Sequence, residues 1–255
     1  MNIHKTAIIS EKAQLDNNVE VGPYVVIGEN VKIGSGTKVW PYALIDKNVI
    51  IGKNCEIYAG AIIGTASQDK KALSEDTHLL IGDNNVIREY VTINRATIEG
   101  QSTIVGNNNL LMAYCHIAHD CIIGDNVVIA NAGTLAGHVE LENDVILGGL
   151  AGVHQFIKIG RLAIIGGCSK VVKDIPPYAM VDGHPAKVYG INSIGLERAG
   201  FNDEIKANIK KAYRKILFKG FARNHLIAEL EQIPQSEEIK HLIEFIASSE
   251  RGIAR

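Results

Sequence analysis

The chain repeats itself every six residues. Stepping by six from Ile9 to Val171 meets an aliphatic residue at every position except Asp69, Glu75 and Glu99. That period excludes an α-helix, which repeats at 3.6, and a simple strand, which alternates at 2.0. Two residues before each aliphatic sits a small or β-branched residue, as in Ala7, Ala13, Val19, Val25, Val31, Thr37, Ala43, Val49, Cys55 and Ala61. Residues two apart on a strand share a face, so each hexad reads as a short strand with two inward side chains. The position after the aliphatic is often glycine, for example Gly22, Gly28, Gly34, Gly52, Gly124 and Gly160. Glycine there suits a corner with positive φ or a close backbone approach. Strand and corner in alternation predict a parallel β-helix. Three hexads close one triangular turn, which climbs about 4.8 Å.

The pattern breaks at about 65–80 and 94–104, where polar residues such as "TASQDKKALSEDTHLL" intervene. These read as loops extruded from a rigid coil, a common place for function. Beyond Val171 comes a Pro-rich connector, "KDIPPYAMVDGHPAKVYG", and then a helical pattern. Asn202 is placed to cap a helix carrying Ile205, Ile209, Ala212, Tyr213, Ile216 and Leu217 on one face. Ser236 is placed to cap another with Ile239, Leu242, Ile243 and Ile246. The expected division is 1–190, β-helix and connector, and 191–255, a small helical domain.

Apolar residues make up 46% of 255, enough for a sizeable core, whereas 5% aromatics and 25 glycines are unusual for a conventional α/β enzyme. A net charge of −2 gives no general case for nucleic acid. No apolar run approaches a membrane span, and "MNIHKTAIIS" has no signal-peptide pattern. The reading is a soluble cytoplasmic protein with its four cysteines reduced.

The stretch "CHIAHDC", 115–121, is the most loaded. On the hexad grid Cys115 and Cys121 fall in the small inward column, as Cys55 does, so they read as core. Alternation points His116 outward. His119 and His138 fall at corners nineteen residues apart, one turn of 18 plus one, so they are expected side by side on one edge. His154 takes a corner position where glycine is usual. Two chemistries fit such a cluster. Neutral imidazoles can hold zinc with one position open. Alternatively, one imidazole is a general base whose tautomer Asp120 fixes.

The ordered set "HIAHDC", "TLAGHV" (134–139), "VHQF" (153–156), "GGCS" (166–169) and "GLERAGF" (195–201) resembles the UDP-N-acetylglucosamine O-acyltransferases of lipid A biosynthesis. "SQDKK", "IREYVTINRAT" and "DIPPY" extend the resemblance almost end to end. It implies a mostly β fold, a left-handed parallel β-helix followed by a small helical domain, against the usual right-handed crossover. It also implies a homotrimer with sites between subunits. The implied reaction moves a 3-hydroxyacyl chain from acyl carrier protein to the 3-hydroxyl of UDP-N-acetylglucosamine. The acyl donor is carried on phosphopantetheine, and no metal or other cofactor is implied.

Within that resemblance His119 matches the catalytic base, Asp120 its acidic partner and Gly137 the oxyanion N–H. Gln68, Asp69 and Lys71 match a substrate loop. His116, His138 and His154 match positions lining the site, and Gln155 a nucleotide-sugar contact. Asn192 and Arg198 match positions near the nucleotide and its phosphates, although Ala199 stands where one relative has a second arginine. Gly167 matches the position that limits acyl length, and glycine there implies a long chain such as 3-hydroxymyristoyl. Residues 198–223 carry eight Lys/Arg against two Asp/Glu. They read either as a solvated helix face or as a landing site for the acidic carrier.

Two rivals share these features. A UDP-sugar N-acyltransferase would acylate an amine instead, although "GLERAGF" favours the O-acyltransferase. A trimeric β-helical metalloenzyme such as a γ-type carbonic anhydrase would use His116, His119 and His138, leaving Asp120 without a purpose.

Overall fold

A computed structural model describes residues 2–70, 76–218 and 222–255. From Asn2–Ile3 to Lys170–Val171 the chain is a run of short strands, most of two residues, in three parallel sheets. Sheet A starts at Asn2–Ile3, sheet B at Ile8–Ile9 and sheet C at Gln14–Leu15. In the coil each strand pairs with the strand three places on, so three strands make one turn of a left-handed parallel β-helix.

The register explains why the sequence phase survives its two interruptions. Paired residues are 18 apart in the first coils, as in Val26 with Leu44. The offset grows to 30 across the first loop, as in Ile62 with Thr92, and is 24 across the second, as in Thr92 with His116. The loops therefore add twelve and six residues, both multiples of the repeat.

The inward columns form the core. Ile27, Ile45, Ile63, Ile93, Ile117, Leu135, Val153 and Val171 stack along sheet B, all buried. Burying each such side chain contributes about 1.5–3 kcal/mol relative to leaving it exposed. The second inward column, with Val25, Ala43, Cys55, Ala61, Cys115 and Cys121, is also buried.

At the corners the structure selects one of the two reasons expected for glycine. Glycines such as Gly34 and Gly52 are there for close approach alone: a Cβ on Gly34 would lie 2.7 Å from the carbonyl carbon of Gly52. Positive φ falls two residues later, three past the aliphatic, at Asn18, Asn30, Asn48, Asn54, Asn84, Asn108 and Asn126, and also at Asp120 and His138. Asn and Asp tolerate this left-handed region better than other residues with a Cβ.

At the top of the coil Ala179–Gly183 pairs with Ile164–Ile165 and turns back antiparallel to Ala186–Ile191. Among the described residues four helices follow: α1 (Ser193–Arg198), α2 (Asp203–Ile216), α3 (Arg223–Glu231) and α4 (Glu237–Ser248). Asn202 caps α2 at Ile205 N–H and Ser236 caps α4 at Ile239 N–H, as the sequence predicts. The expected apolar face of α2 is realised, with Ile209, Ala212, Tyr213 and Ile216 buried. The short α1 and α3 were not anticipated. Polar ties join this bundle to the coil: Tyr213 OH donates to Pro176 O at 3.2 Å, Ser249 Oγ to Asp174 Oδ2 at 2.6 Å, and His241 Nε2 lies 3.0 Å from Glu142. No helix among the described residues is long and apolar enough to cross a membrane.

Candidate active site

The edge between sheets B and C gathers the histidines. His119 and Asp120 turn the corner after strand His116–Ile117, and His138 turns the same corner one coil above. Their backbones are tied by His138 N–H to His119 O at 3.1 Å. The rings of His119 and His138 meet edge to face with centroids 5.2 Å apart. His138 in turn stacks on Phe156, one coil higher, at 4.5 Å and 11°.

His119 Nδ1 lies 2.7 Å from Asp120 Oδ2. Thr97 supplies two more donors to the same carboxylate, its N–H to Oδ1 at 3.1 Å and its hydroxyl to Oδ2 at 2.7 Å. Burial alone would raise the Asp120 carboxyl, but hydrogen bonds from Thr97 and His119 outweigh it and hold the group below the usual carboxylate range. An ionised carboxylate only accepts, so His119 carries its proton on Nδ1 and leaves Nε2 with a free lone pair. That Nε2 faces Asp69 of the first loop at 4.0 Å. Asp120 itself is anchored by its N–H to the Thr103 hydroxyl at 2.8 Å.

Gly137 packs against the ring of His119. A Cβ there would lie 2.4 Å from Cε1 and 2.6 Å from Nε2 of His119. The space that glycine leaves is therefore taken by the imidazole. The Gly137 N–H has no partner among the described residues; on the edge between sheets C and A, residues of the same column are capped from the next coil, as Lys53 N–H is by Asp83 at 2.7 Å.

His116 points outward and is half-buried, sharing a 2.7 Å hydrogen bond between Nδ1 and Thr92 Oγ1. Burial, with repulsion from His119, lowers its pKa below the ordinary imidazole value. His154 and Gln155 are exposed on the same edge further up, as Gln68 and Asp69 are in the first loop. Lys71 lies outside the described residues.

The remaining expected residues stand elsewhere. Asn192 and Arg198 line a cleft of about 640 Å³ with Ile146, Ile164 and Met180 of sheet A, the face opposite the histidine edge. Asn192 is 8% exposed; it caps α1 through Gly195 N–H and donates to Leu162 O at 2.9 Å. Gly167 is exposed on the edge between sheets A and B.

Cys55, Cys115 and Cys121 are core, as the grid predicts, whereas Cys168 is exposed. Burial pushes the Cys115 thiol up to about 11 and the Cys121 thiol up to about 12, so both stay protonated at neutral pH. Metal-capable atoms come together, among the described residues, at His119, Asp120 and His138, within 4.8 Å of one another. His116, which the metal reading requires, is not among them. Thr97, Thr103 and Phe156 escaped the sequence reading. The signal for Thr97 and Thr103 was their place in the flagged stretch 94–104; Phe156 closes the motif "VHQF" but drew no separate reading.

Residues 174–254 match the family described as Udp N-acetylglucosamine O-acyltransferase, domain 2, and residues 30–65 and 102–136 match the bacterial transferase hexapeptide family. An acyl-[acyl-carrier-protein]–UDP-N-acetylglucosamine O-acyltransferase of Aliarcobacter butzleri is 48% identical, over 99% of this chain and 97% of the relative. One from Paraburkholderia phymatum is 41% identical over 99% of each. The crystal structure of the UDP-N-acetylglucosamine O-acyltransferase from Moraxella catarrhalis superposes with a TM-score of 0.96 at 40% identity, covering 100% of both chains. With full-length relatives, a matching fold and a His–Asp pair in place, the chain belongs to the UDP-N-acetylglucosamine O-acyltransferase family.

Proposed function

We propose that the chain is an acyl-[acyl-carrier-protein]–UDP-N-acetylglucosamine O-acyltransferase, performing the first step of lipid A biosynthesis. The observation that carries the mechanism is the 2.7 Å contact of His119 Nδ1 with Asp120, which leaves Nε2 free. A sugar hydroxyl is a poor nucleophile at neutral pH. His119 Nε2 takes the proton from the 3-hydroxyl as its oxygen attacks the thioester carbonyl. The Gly137 N–H donates to the oxyanion of the tetrahedral intermediate. Collapse breaks the C–S bond, and the departing pantetheine sulfur takes the proton back from His119. Asp120 stabilises the transient imidazolium without being protonated. No acyl-enzyme, metal or bound cofactor takes part, and the acyl chain arrives on phosphopantetheine.

The other assignments follow the same reading. Gln68, Asp69 and Lys71 belong to the substrate loop, His116, His138, His154 and Gln155 line the site, and Asn192 and Arg198 meet the nucleotide. A second copy is needed to bring the last two to the histidine edge, because they lie on opposite faces of one chain. The outward residues Val86, Leu110, Val128, Ile146, Ile164 and Met180 of sheet A are apolar, which supports a homotrimer packed through that face. Gly167 leaves room for a long acyl chain such as 3-hydroxymyristoyl, and the protein works in the cytoplasm. Lys210 and Lys211, exposed on α2, suit electrostatic capture of the acidic carrier.

The test is acyl transfer from 3-hydroxymyristoyl-carrier protein to UDP-N-acetylglucosamine in the presence of chelator. Wild type should form product, and His119→Ala should lose about 10²–10⁴-fold in kcat. Product that persists in His119→Ala would place the base elsewhere. Product that vanishes with chelator would return the metal reading.

A further inference from the structure

The two loops that interrupt the hexads meet behind Asp120. The Asn94 side-chain amide donates to Thr65 Oγ1 and Ala66 O, each at 3.0 Å. Arg95, only 2% exposed, donates from Nη1 to Gly64 O at 3.0 Å, Lys47 O at 3.1 Å and Asp46 Oδ2 at 3.3 Å. Its backbone N–H reaches Thr65 O at 3.0 Å, and Ala96 N–H reaches His78 O at 3.3 Å. A buried guanidinium persists only where it is partnered, so these bonds fix both loop stems to the coil and to each other. Two residues past Arg95 the chain delivers Thr97 to the carboxylate of Asp120, 23 positions away in sequence.

We infer that Thr97 is a positioning residue of the acyl-transfer reaction: its N–H and hydroxyl hold the two oxygens of Asp120 so that His119 keeps its proton on Nδ1 and offers Nε2 to the acceptor. This rests on the general-base reading above. The reason such a hold is needed lies in the competition for Asp120. His138 Nε2 stands 3.5 Å from the same Oδ2 that accepts from His119 at 2.7 Å. A carboxylate free to turn about its Cβ–Cγ bond would divide itself between the two imidazoles. His119 would then populate the other tautomer, with its proton on Nε2, which cannot accept from a hydroxyl. Thr97 bonds to both carboxylate oxygens and removes that freedom. The hydroxyl also draws charge from Oδ2, which moderates how strongly Asp120 favours imidazolium over imidazole; among the described residues Asp69 also faces His119, at 4.0 Å from Nε2.

Thr97 is partly exposed and outside the hexad core, so its side chain can be changed without emptying the interior. Thr97→Val keeps the shape and the N–H but removes the hydroxyl, while Thr97→Ser keeps the hydroxyl. Loss of one hydrogen bond to a charged group predicts that Thr97→Val lowers kcat about tenfold with KM for both substrates unchanged. The acid limb of its kcat–pH profile should move to higher pH, since more of the carboxylate charge is left for the imidazoles. Thr97→Ser should restore both. Nitrogen-15 imidazole NMR of the substrate-free protein should show His119 in one Nδ1–H tautomer in wild type and in Thr97→Ser, and a mixture in Thr97→Val. A Thr97→Val variant with wild-type kcat and a single tautomer overturns the proposal. So does a Thr97→Ser variant as impaired as Thr97→Val, which would make the methyl contact the cause. The NMR readout needs no substrate, so an inactive wild type would sink the acyl-transfer reading while the role of Thr97 was still decided.

Discussion

Along the edge between sheets B and C, the corner at Glu29–Asn30 and the corner at His119–Asp120 are built alike. Asn30 and Asp120 both take left-handed φ, 56° and 59°. Asn48 N–H donates to Glu29 O at 3.0 Å, and His138 N–H to His119 O at 3.1 Å. The side chains separate them. In the lower coils Asn30 donates to Asn48 at 3.0 Å and Lys12 pairs with Glu29 at 2.9 Å, with both charged groups in water. In the upper coils the same places hold an imidazole and a nearly buried carboxylate, 9% exposed, under two loops. The repeat provides a rigid corner, and what is mounted on it decides between scaffold and site.

That comparison can be broken most severely at Gly137. A methyl there collides with the His119 ring, a side chain that can swing away, so Gly137→Ala should lower kcat about 10²-fold or more while Tm moves little. Activity close to wild type would show that the ring's place does not matter. Asp120→Asn keeps the shape but lets the side chain donate, which favours the wrong tautomer of His119; kcat should fall about 10²-fold or more, with UDP-N-acetylglucosamine affinity kept in calorimetry.

On the scaffold corner the effects should be of stability. Asn48→Ala puts a Cβ residue without a local hydrogen bond at φ 57° and should cost about 1–2 kcal/mol in denaturant unfolding, with specific activity unchanged. A smaller effect is expected at His241, whose hydrogen bond to Glu142, opposed by burial, raises its pKa above the ordinary imidazole value. The stability from this contact is complete below the unfolded pKa of about 6.5 and is lost as pH rises through the raised folded value. His241→Gln should therefore narrow its Tm gap from wild type as pH climbs through that window. The smallest effect is Lys12→Ala: an exposed ion pair contributes little, and neither Tm nor kcat should change.

How far each corner could be read in advance follows from where its information lies. The inward columns were legible because burial acts on every hexad alike, so Ile27 and Ile117 occupy equivalent places and carry equivalent side chains. The adjacency of His119 and His138 was legible for the same reason, since a fixed turn of 18 converts sequence distance into height. The left-handed column was written in the recurring asparagines but went unread, because glycine beside it left close approach and positive φ as open alternatives. Gly137 illustrates the ambiguity: its type was noticed, but which group needed the space depended on where the neighbouring coil put a ring.

The sequence by itself determined a hexad coil, its two loops, the capped helices α2 and α4 and the row of histidines on one edge. Each of these follows from local periodicity or from a capping residue a few positions from its partner. Only the tertiary structure decided that Thr97 grips Asp120, that Arg95 ties the two loop stems together, and that Asn192 and Arg198 lie across the coil from His119. Those contacts join residues whose separation is set by loops rather than by the repeat. Loops that add whole multiples of six leave the phase intact, so the column of aliphatics carries no record of where their side chains go.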